Sequence, residues 1–284
     1  MSCCRKLARV RALTGFDPFA MPVEWPVLAL LILAAFGAGW IDAVVGGGGL
    51  VQLPSLLIGL PKETPTPVVL GTNKLSSIAG TLSATIAYAR RVAFDVSTVV
   101  PLVASAFVGS AAGSALARFI PKAALTPIVL VAIIAVGTYT LRKPELGLSH
   151  EKKHSGSAHM WRAIGIGAAV GFYDGILGPG TGSFFVILLV AVLGFGFLEA
   201  SAHAKLANLA TNLASILVFG ANGEVLVVLG LAMAAANLTG GFVGARMAIA
   251  RGSEFVRTVF LLVLGGLSVK LAFDTVMLLS SGGA

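Results

Sequence analysis

Charged residues and cysteines are scarce in this chain. Only 11% of its 284 residues are charged, whereas a soluble domain carries about 25%. The two cysteines, Cys3 and Cys4, are adjacent, so they cannot build a disulfide framework or a zinc site by themselves. This composition excludes an ordinary soluble domain, and we expect neither a cofactor nor a metal.

Long apolar runs are what the sequence has instead. Hydrophobic residues make up 57% of the chain, and the mean hydropathy is +0.94. A helix needs about 20 apolar residues to cross a bilayer. Runs of that order are residues 27–45, 68–89, 99–118, 124–141, 163–177, 203–220, 225–249 and 256–279, and two shorter runs are 50–60 and 183–198. The pattern predicts an all-α polytopic membrane protein with eight to ten helical segments.

The two halves of the chain repeat one pattern. When Asp174 is aligned with Asp42, the glycine run after one aspartate falls on the glycine run after the other. With a one-residue slip in this alignment, Lys205 falls on Lys74. Each half therefore contains an acid, a glycine-rich break and a lysine, in that order. Duplicated halves with broken apolar segments are typical of membrane transporters, so we predict two homologous repeats.

The hydrophilic stretches divide the chain into five parts. They are a basic cytoplasmic N-terminal tail (1–24), a first transmembrane repeat (25–141), a hydrophilic linker (142–162), a second transmembrane repeat (163–279) and a short C-terminal tail (280–284). The linker contains three histidines, but their spacing is irregular and predicts a solvated stretch without a metal.

Basic residues favour one topology. If the two short runs are re-entrant, eight segments cross, and eleven basic residues lie on the side of the N-terminus against five on the other. If all ten segments cross, the division is seven against nine. The positive-inside rule therefore favours eight crossings with both termini in the cytoplasm. Four crossings per half give parallel repeats, whereas five give inverted ones. The net charge of +8 reflects this topology, and we expect no nucleic acid partner.

Two lysines lie inside apolar segments at equivalent places in the halves. An ionised side chain near the bilayer centre costs at least ~2.5 kcal/mol, so it normally faces a partner or a water-filled cavity. Asn208 and Asn212 follow Lys205 on roughly the same helix face, and Ser77 follows Lys74. These polar side chains favour a substrate site between the halves, although asparagine and serine also link helices in membranes.

The two aspartates have three possible roles. They can pair with Lys74 and Lys205, they can carry a coupling proton because burial perturbs carboxylates, or they can cap the helix after each glycine break. The residues alone leave all three roles open for Asp42 and Asp174.

The glycine runs predict discontinuous helices. Neither run has a full dinucleotide or P-loop motif. Inside a membrane, broken backbone is tolerated where it lines a cavity, and the free N–H groups of the following helix suit an anion. The alternative is that these glycines only allow close packing. Close helix packing is what Gly109-x-x-x-Gly113 and Gly240-x-x-x-Gly244 predict.

Four motifs carry a family resemblance: GWIDAVVGGGGL, TNKL, GFYDGILGPGTGSF and AHAKLANLATN. In this order they resemble the sulfite exporter TauE/SafE family, in the branch described as probable membrane transporter proteins, over residues 27–278. The resemblance implies a carrier of small organic or sulfur-containing anions such as sulfite, sulfonates or sulfoacetate in a bacterial inner membrane. The residues that match the family's motifs are Gly46 to Gly49, Asp42, Asn73, Lys74, Asp174, Gly178 to Gly180, His203 and Lys205.

We therefore expect a secondary transporter for a small anion that works by alternating access between two repeats. The alternative is a passive anion channel with the same duplicated pore, and an enzyme is not expected. Its partners would be the anion, the lipid bilayer and coupling protons. The predicted substrate-binding residues are Gly46, Gly47, Gly48, Gly49, Asn73, Lys74, Gly178, Pro179, Gly180, Thr181, Ser183, His203, Lys205, Asn208 and Asn212, and the predicted coupling or charge-pairing residues are Asp42 and Asp174.

Overall fold

The chain folds into a helical bundle in the computed structural model, which describes residues 17–119, 153 and 155–281. These ranges contain helices and no strand. The helices are α1 (Trp25–Val45), α2 (Gly49–Gly59), α3 (Thr66–Ala89), α4 (Val96–Leu116), α5 (Gly156–Ile176), α6 (Thr181–Leu188), α7 (Phe197–Ala221) and α8 (Val227–Ser281). A 3₁₀ turn (Ala117–Phe119) extends α4, a π-helix (Leu189–Leu193) extends α6, and α8 is kinked at Gly252. The predicted segment 124–141 lies outside the described residues.

Four of the described helices are long and apolar enough to cross a membrane: α1, α4, α7 and the part of α8 from Val227 to Val263. The bundle is apolar on the outside, where Leu33, Val108 and Leu217 are exposed. Its interior combines an apolar core with buried polar groups, among them Thr72, Asn73, Lys74, Ser76, Thr81 and Thr85 of α3. The apolar exterior and the long apolar helices confirm the prediction of an all-α polytopic membrane protein.

The short helix α2 folds back along α1. It begins where Gly48 lies against Ala38 and Asp42, and it ends where Gly59 lies against Val27 and Leu31. Three glycines separate the two helices, and Gly46 has a φ of 79°, which a glycine adopts without steric cost. The first glycine break therefore turns a helical hairpin, which we call the α1–α2 hairpin.

A second hairpin is formed by α5 and α6. The main-chain N–H of Lys153, just before α5, donates to the carbonyl oxygen of Leu193 at the end of the α6 extension. At the tip, the Tyr173 hydroxyl donates to the Pro179 carbonyl oxygen at 2.7 Å. Gly178 and Gly180 have φ values of 86° and 78°, so this turn also depends on glycine.

The two hairpins enter the bundle from opposite ends. The carbonyl oxygen of Pro18, which precedes α1, accepts a hydrogen bond from the first residue of α8, and Gly71 near the start of α3 lies against Glu224. At the other end, His159 of α5 contacts Thr98 of α4. Because α3 runs from the first end to the second, Trp25 and Gly156 lie at opposite ends of the bundle.

This arrangement corrects the eight-crossing topology. That topology treated each short run as a separate re-entrant loop and put the N-terminal tail and the linker on one side. In the structure, each short helix returns along the long helix before it, so α1 and α2 together leave the chain at the end where it entered. The start of α1 and the linker residue Lys153 consequently lie at opposite ends of the bundle. That both termini face the cytoplasm stays a prediction.

Two close helix pairs frame the hairpins. A Cβ atom added at Gly240 of α8 would lie 2.0 Å from the Phe36 carbonyl oxygen of α1, and one added at Gly109 of α4 would lie 2.5 Å from the Ala168 carbonyl oxygen of α5. Only glycine permits such backbone contact. The prediction that both G-x-x-x-G motifs serve close packing is confirmed.

Candidate functional site

Two ion pairs, buried except for the partly exposed Asp42, join the first half of the chain to the second. Lys74 Nζ of α3 lies 2.5 Å from Asp174 Oδ2 of α5. Lys205 Nζ of α7 lies 2.9 Å from Asp42 Oδ2 of α1. Each lysine therefore pairs with the aspartate of the other half. Charges buried at this depth are stable only when they are paired or hydrogen-bonded.

The aspartates serve the lysines and do not cap helices. Both lie in the last turn of the long hairpin helix, before the glycine break. The short helices α2 and α6 begin after Gly48 and Gly180, and neither N-terminus has a side-chain cap. Of the three roles that the sequence left open, capping is excluded and charge pairing is observed.

The two pairs differ in how tightly they are held. Lys205 donates to the main-chain carbonyl oxygen of Asp42 as well as to its carboxylate, and the Thr81 hydroxyl lies 3.4 Å from the same carboxylate oxygen. Lys74 has one such partner among the described residues, Asp174, whose Oδ2 accepts no further hydrogen bond. The first pair is a network, whereas the second is a single contact.

A polar cavity lies between the hairpin tips. Its volume is about 20 Å³, which is enough for at least one water molecule. Its lining residues are Asp42, Gly46, Gly49, Asn73, Lys74, Ser77, Thr81, Asp174, Gly178, Thr181, Gly182, Asn208 and Asn212. The side-chain oxygens of Asn73 and Asn208 are buried there without a hydrogen-bond partner. Such orphaned groups are costly, so a hydrogen-bond donor in the cavity would stabilise them.

The hairpin tips close the cavity by direct contact. The Ser183 main-chain N–H donates to the Gly46 carbonyl oxygen at 3.2 Å, and the Ser183 hydroxyl donates to the Val45 carbonyl oxygen at 2.9 Å. A Cβ atom at Gly182 would lie 2.3 Å from the Cα of Gly46. The backbones of the two hairpins thus touch at the centre of the bundle.

Most predicted site residues converge on this cavity, and some lie beside it. Gly47, Gly48, Pro179, Gly180 and Ser183 shape the hairpin tips without lining the cavity. Lys205 is fully buried on Asp42 and is not part of the lining.

His203 lies outside the cavity, near one end of the bundle. Its Nε2 accepts the main-chain N–H of Asp95 at 3.0 Å, just before α4. At the other end, the Thr72 hydroxyl accepts the main-chain N–H of Leu226 at 2.9 Å, just before α8. Both side chains hold the start of a neighbouring helix.

Sequence reasoning missed two polar residues. Thr81 lines the cavity and contacts both Asp42 and Asn212. The shift that places Lys205 on Lys74 also places Asn212 on Thr81, and this signal could have identified it. Gln52 of α2 is fully buried and joins Asn73 to Asn237, and no pattern in the sequence marked it.

The described part of the chain offers no group of three or more His, Cys, Asp or Glu side chains that could hold a metal ion. The charges of the site are two ammonium groups and two carboxylates, and their formal sum is zero.

Comparison with known proteins identifies the family. Residues 31–271 match the family described as sulfite exporter TauE/SafE. The chain is 37% identical over 248 residues to "Probable membrane transporter protein ORF9" of Sinorhizobium sp., covering 87% of this chain and 93% of that protein. It is 34% identical to "Probable membrane transporter protein" of Haemophilus influenzae (89% and 98%) and to "Probable membrane transporter protein YfcA" of Escherichia coli K12 (88% and 91%). No solved structure gives a significant match.

These names describe membrane transport and not catalysis. The match covers most of the chain, and the tips of both hairpins and both ion pairs fall within it. The chain therefore belongs to the sulfite exporter TauE/SafE family of membrane transporters.

Proposed function

We propose that this protein is a secondary transporter that moves a small anion, such as sulfite, a sulfonate or a related organosulfur anion, across the bacterial inner membrane. The observation that carries the proposal is the Lys74 ammonium group, buried in a polar cavity where two hairpins from opposite ends meet. A buried cation with a single ionic partner can serve as a binding group for an anion. The name of the family supports sulfite as the first candidate.

Alternating access is the mechanism that this architecture favours. Each hairpin closes the cavity toward one end of the bundle, and the tips meet through a few main-chain contacts. Withdrawal of one tip would open the cavity to one side while the other tip keeps it closed. Carriers built from repeats place their substrate between such elements near the bilayer midplane.

Equivalent contacts in the two halves support an inverted repeat. The close approach of Gly240 to Phe36 corresponds, in the alignment of the halves, to that of Gly109 to Ala168. The two ion pairs correspond in the same alignment, because each joins the lysine of one half to the aspartate of the other. Because the hairpins enter from opposite ends, the symmetry axis would lie in the membrane plane, near the contact between Thr81 and Asn212.

Lys74 is the lysine that would bind the anion. It lines the cavity, whereas Lys205 is held by the carboxylate and the main chain of Asp42. Asn73 and Asn208 lie beside Lys74 in the lining of the cavity. The Lys74 ammonium group and the amide N–H groups of these asparagines would bind the oxygens of a sulfite or sulfonate, whereas their side-chain oxygens would accept from a water molecule.

The test is binding and transport by the purified protein and its Lys74→Met variant. Sulfite, methanesulfonate, sulfoacetate, phosphate and acetate would be screened for thermal stabilisation in detergent. A bound ligand at a hundredfold excess over its Kd stabilises by about 2.7 kcal/mol. We expect a sulfur-containing anion to stabilise the parent protein and not Lys74→Met, and we expect the parent protein to accumulate it in proteoliposomes against its gradient.

Lys62→Met is the matched control, because Lys62 is exposed outside the cavity. It should bind and transport like the parent protein. Equal stabilisation of the parent protein and Lys74→Met would remove Lys74 from the site. Flux that never exceeds equilibration would identify a passive anion channel, and no response to any anion would contradict the proposed function.

A further inference from the structure

Lys74, the lysine proposed to bind the substrate, is already paired with a carboxylate, that of Asp174. Asp174 is 3% exposed, and its Oδ2 lies 2.5 Å from Lys74 Nζ. The two ion pairs together make the site neutral. An added anion would therefore meet no net positive charge, in a medium where an unpaired charge is strongly disfavoured.

The Asp174 carboxylate also occupies space beside Lys74, because both side chains line the same small cavity. Among the described residues, Asp174 Oδ2 has no partner besides the Lys74 ammonium group. Moving this carboxylate off Lys74 would free both the cationic group and the space beside it.

We propose that Asp174 is a resident anion that a transported anion replaces on Lys74, with the uptake of one proton by the Asp174 carboxylate. This inference rests on the proposed function and adds its coupling. The substrate oxygen takes the place of Asp174 Oδ2 on the ammonium group. The carboxylate, now buried without a counter-charge, is neutralised by a proton from solution. A monoanion and a proton therefore enter together, and the charge of the site stays at zero.

Among the described residues, the titratable groups near Asp174 are already paired or lie farther away. Lys74 faces it from α3, and the Asp42–Lys205 pair of α1 and α7 lies across the cavity. Tyr173 of α5 donates its proton to the Pro179 carbonyl oxygen. The helices α2, α4 and α6 contain no titratable side chain, and Glu199 and His203 of α7 lie toward the linker end.

The exchange explains how an empty carrier could return. With Asp174 on Lys74 the empty site is neutral, and with anion and proton bound the loaded site is neutral as well. Both forms can close without burying an unpaired charge, so net transport is possible. If Asp174 could not be ionised, the empty site would keep an unpaired Lys74 ammonium, and only the loaded form could cross.

The experiment compares net uptake with exchange in proteoliposomes that contain the parent protein or Asp174→Asn. Labelled sulfite is one probe, and methanesulfonate is the other because it stays a monoanion at every pH used. We expect the parent protein to take up one proton per methanesulfonate, driven by a pH gradient and indifferent to a K⁺ diffusion potential. In Asp174→Asn, net uptake should fall about a hundredfold, as expected for an unpaired buried ammonium, while exchange of labelled for unlabelled anion persists.

Two controls keep the proposal open to contradiction. Asp174→Glu should retain pH-driven net uptake, and Glu63→Gln, changed at an exposed position, should match the parent protein. If Asp174→Asn does not fold, the proton count of the parent protein decides. Uptake without protons, uptake driven by Na⁺, or undiminished pH-driven uptake by Asp174→Asn would overturn the coupling alone. A parent protein that neither takes up nor exchanges either anion would contradict the proposed function itself.

Discussion

The two ion pairs have the same composition and different surroundings. Lys205 donates twice to Asp42, once to the main chain at the end of α1 and once to the carboxylate. Lys74 reaches Asp174 through one contact, and both side chains line the cavity. One pair therefore fixes α7 to the tip of the α1–α2 hairpin, while the other is the pair that we propose to exchange. Two contacts of the same composition would then have different roles, one in the framework and one in ligand binding.

Removal of Lys205 should have the largest effect on stability. The Lys205→Met variant leaves the Asp42 carboxylate without its counter-charge and frees a main-chain carbonyl at the end of α1. Breaking a buried pair from one side costs roughly 3 to 5 kcal/mol. We expect the free energy of unfolding to fall by about 3 kcal/mol, as measured by tryptophan fluorescence in detergent.

The double variant Lys205→Met/Asp42→Asn is the control for this comparison. It removes both charges and should recover most of the lost stability. Lys74→Met should be less destabilised than Lys205→Met, because Lys74 has one contact to lose, whereas Lys205 also donates to the Asp42 main chain. Equal losses in the two single variants would mean that the pairs are equivalent and would remove the distinction between framework and ligand site.

A substitution at the contact between the hairpin tips should have the next largest effect on stability. In Gly182→Ala the new Cβ would lie 2.3 Å from the Gly46 Cα, which is backbone and cannot move aside as a side chain can. Overpacking of this kind costs about 1 to 3 kcal/mol. We expect a loss of that size in the free energy of unfolding, together with loss of uphill anion transport, because the tips no longer close.

Gly165→Ala offers a matched control for the hairpin tip. Gly165 lies in α5, and a Cβ there would have nothing within 4 Å. Alanine favours a helix over glycine by about 1 kcal/mol, so this variant should keep or gain stability and should transport normally. Normal transport by Gly182→Ala would show that closure does not depend on contact between the tips.

Much of this site could be predicted because its chemistry is costly in a membrane. Lys74, Lys205, Asp42 and Asp174 attract attention as ionisable residues in apolar segments, and their repetition in both halves indicates a shared role. The pairing between halves could not be predicted. It depends on the direction in which each hairpin enters the bundle, and a linear pattern of apolar runs does not encode that direction.

The predicted eight-crossing topology was wrong for a related reason. Counting basic residues requires knowing which segments cross, and the 11-residue helix α2 is too short to cross alone. Its contacts with Val27 and Leu31 turn α1 and α2 into one unit that returns to its starting end. The glycine run 46–49 predicts the break between the helices, but the angle between them is decided by packing.

Replacements at Thr72 and His203 should have the smallest effect, and they test the symmetry between the halves most directly. Each side chain accepts the main-chain N–H that precedes a neighbouring helix, at 2.9 Å from Leu226 and 3.0 Å from Asp95. Loss of one such acceptor costs about 1 kcal/mol. We expect Thr72→Val and His203→Leu to lose similar amounts of stability, of about this size, with no change in affinity for sulfite.

Thr72→Ser keeps the hydroxyl and should behave like the parent protein. His203 also lies two residues before Lys205, so a role in anion binding makes the opposite prediction for His203→Leu. A variant with lost sulfite affinity and unchanged stability would make His203 a ligand. Matched small losses at both positions would instead show that a threonine and a histidine, unlike in chemistry, perform one structural task at the two ends of the bundle, because each position only requires an acceptor facing a helix start.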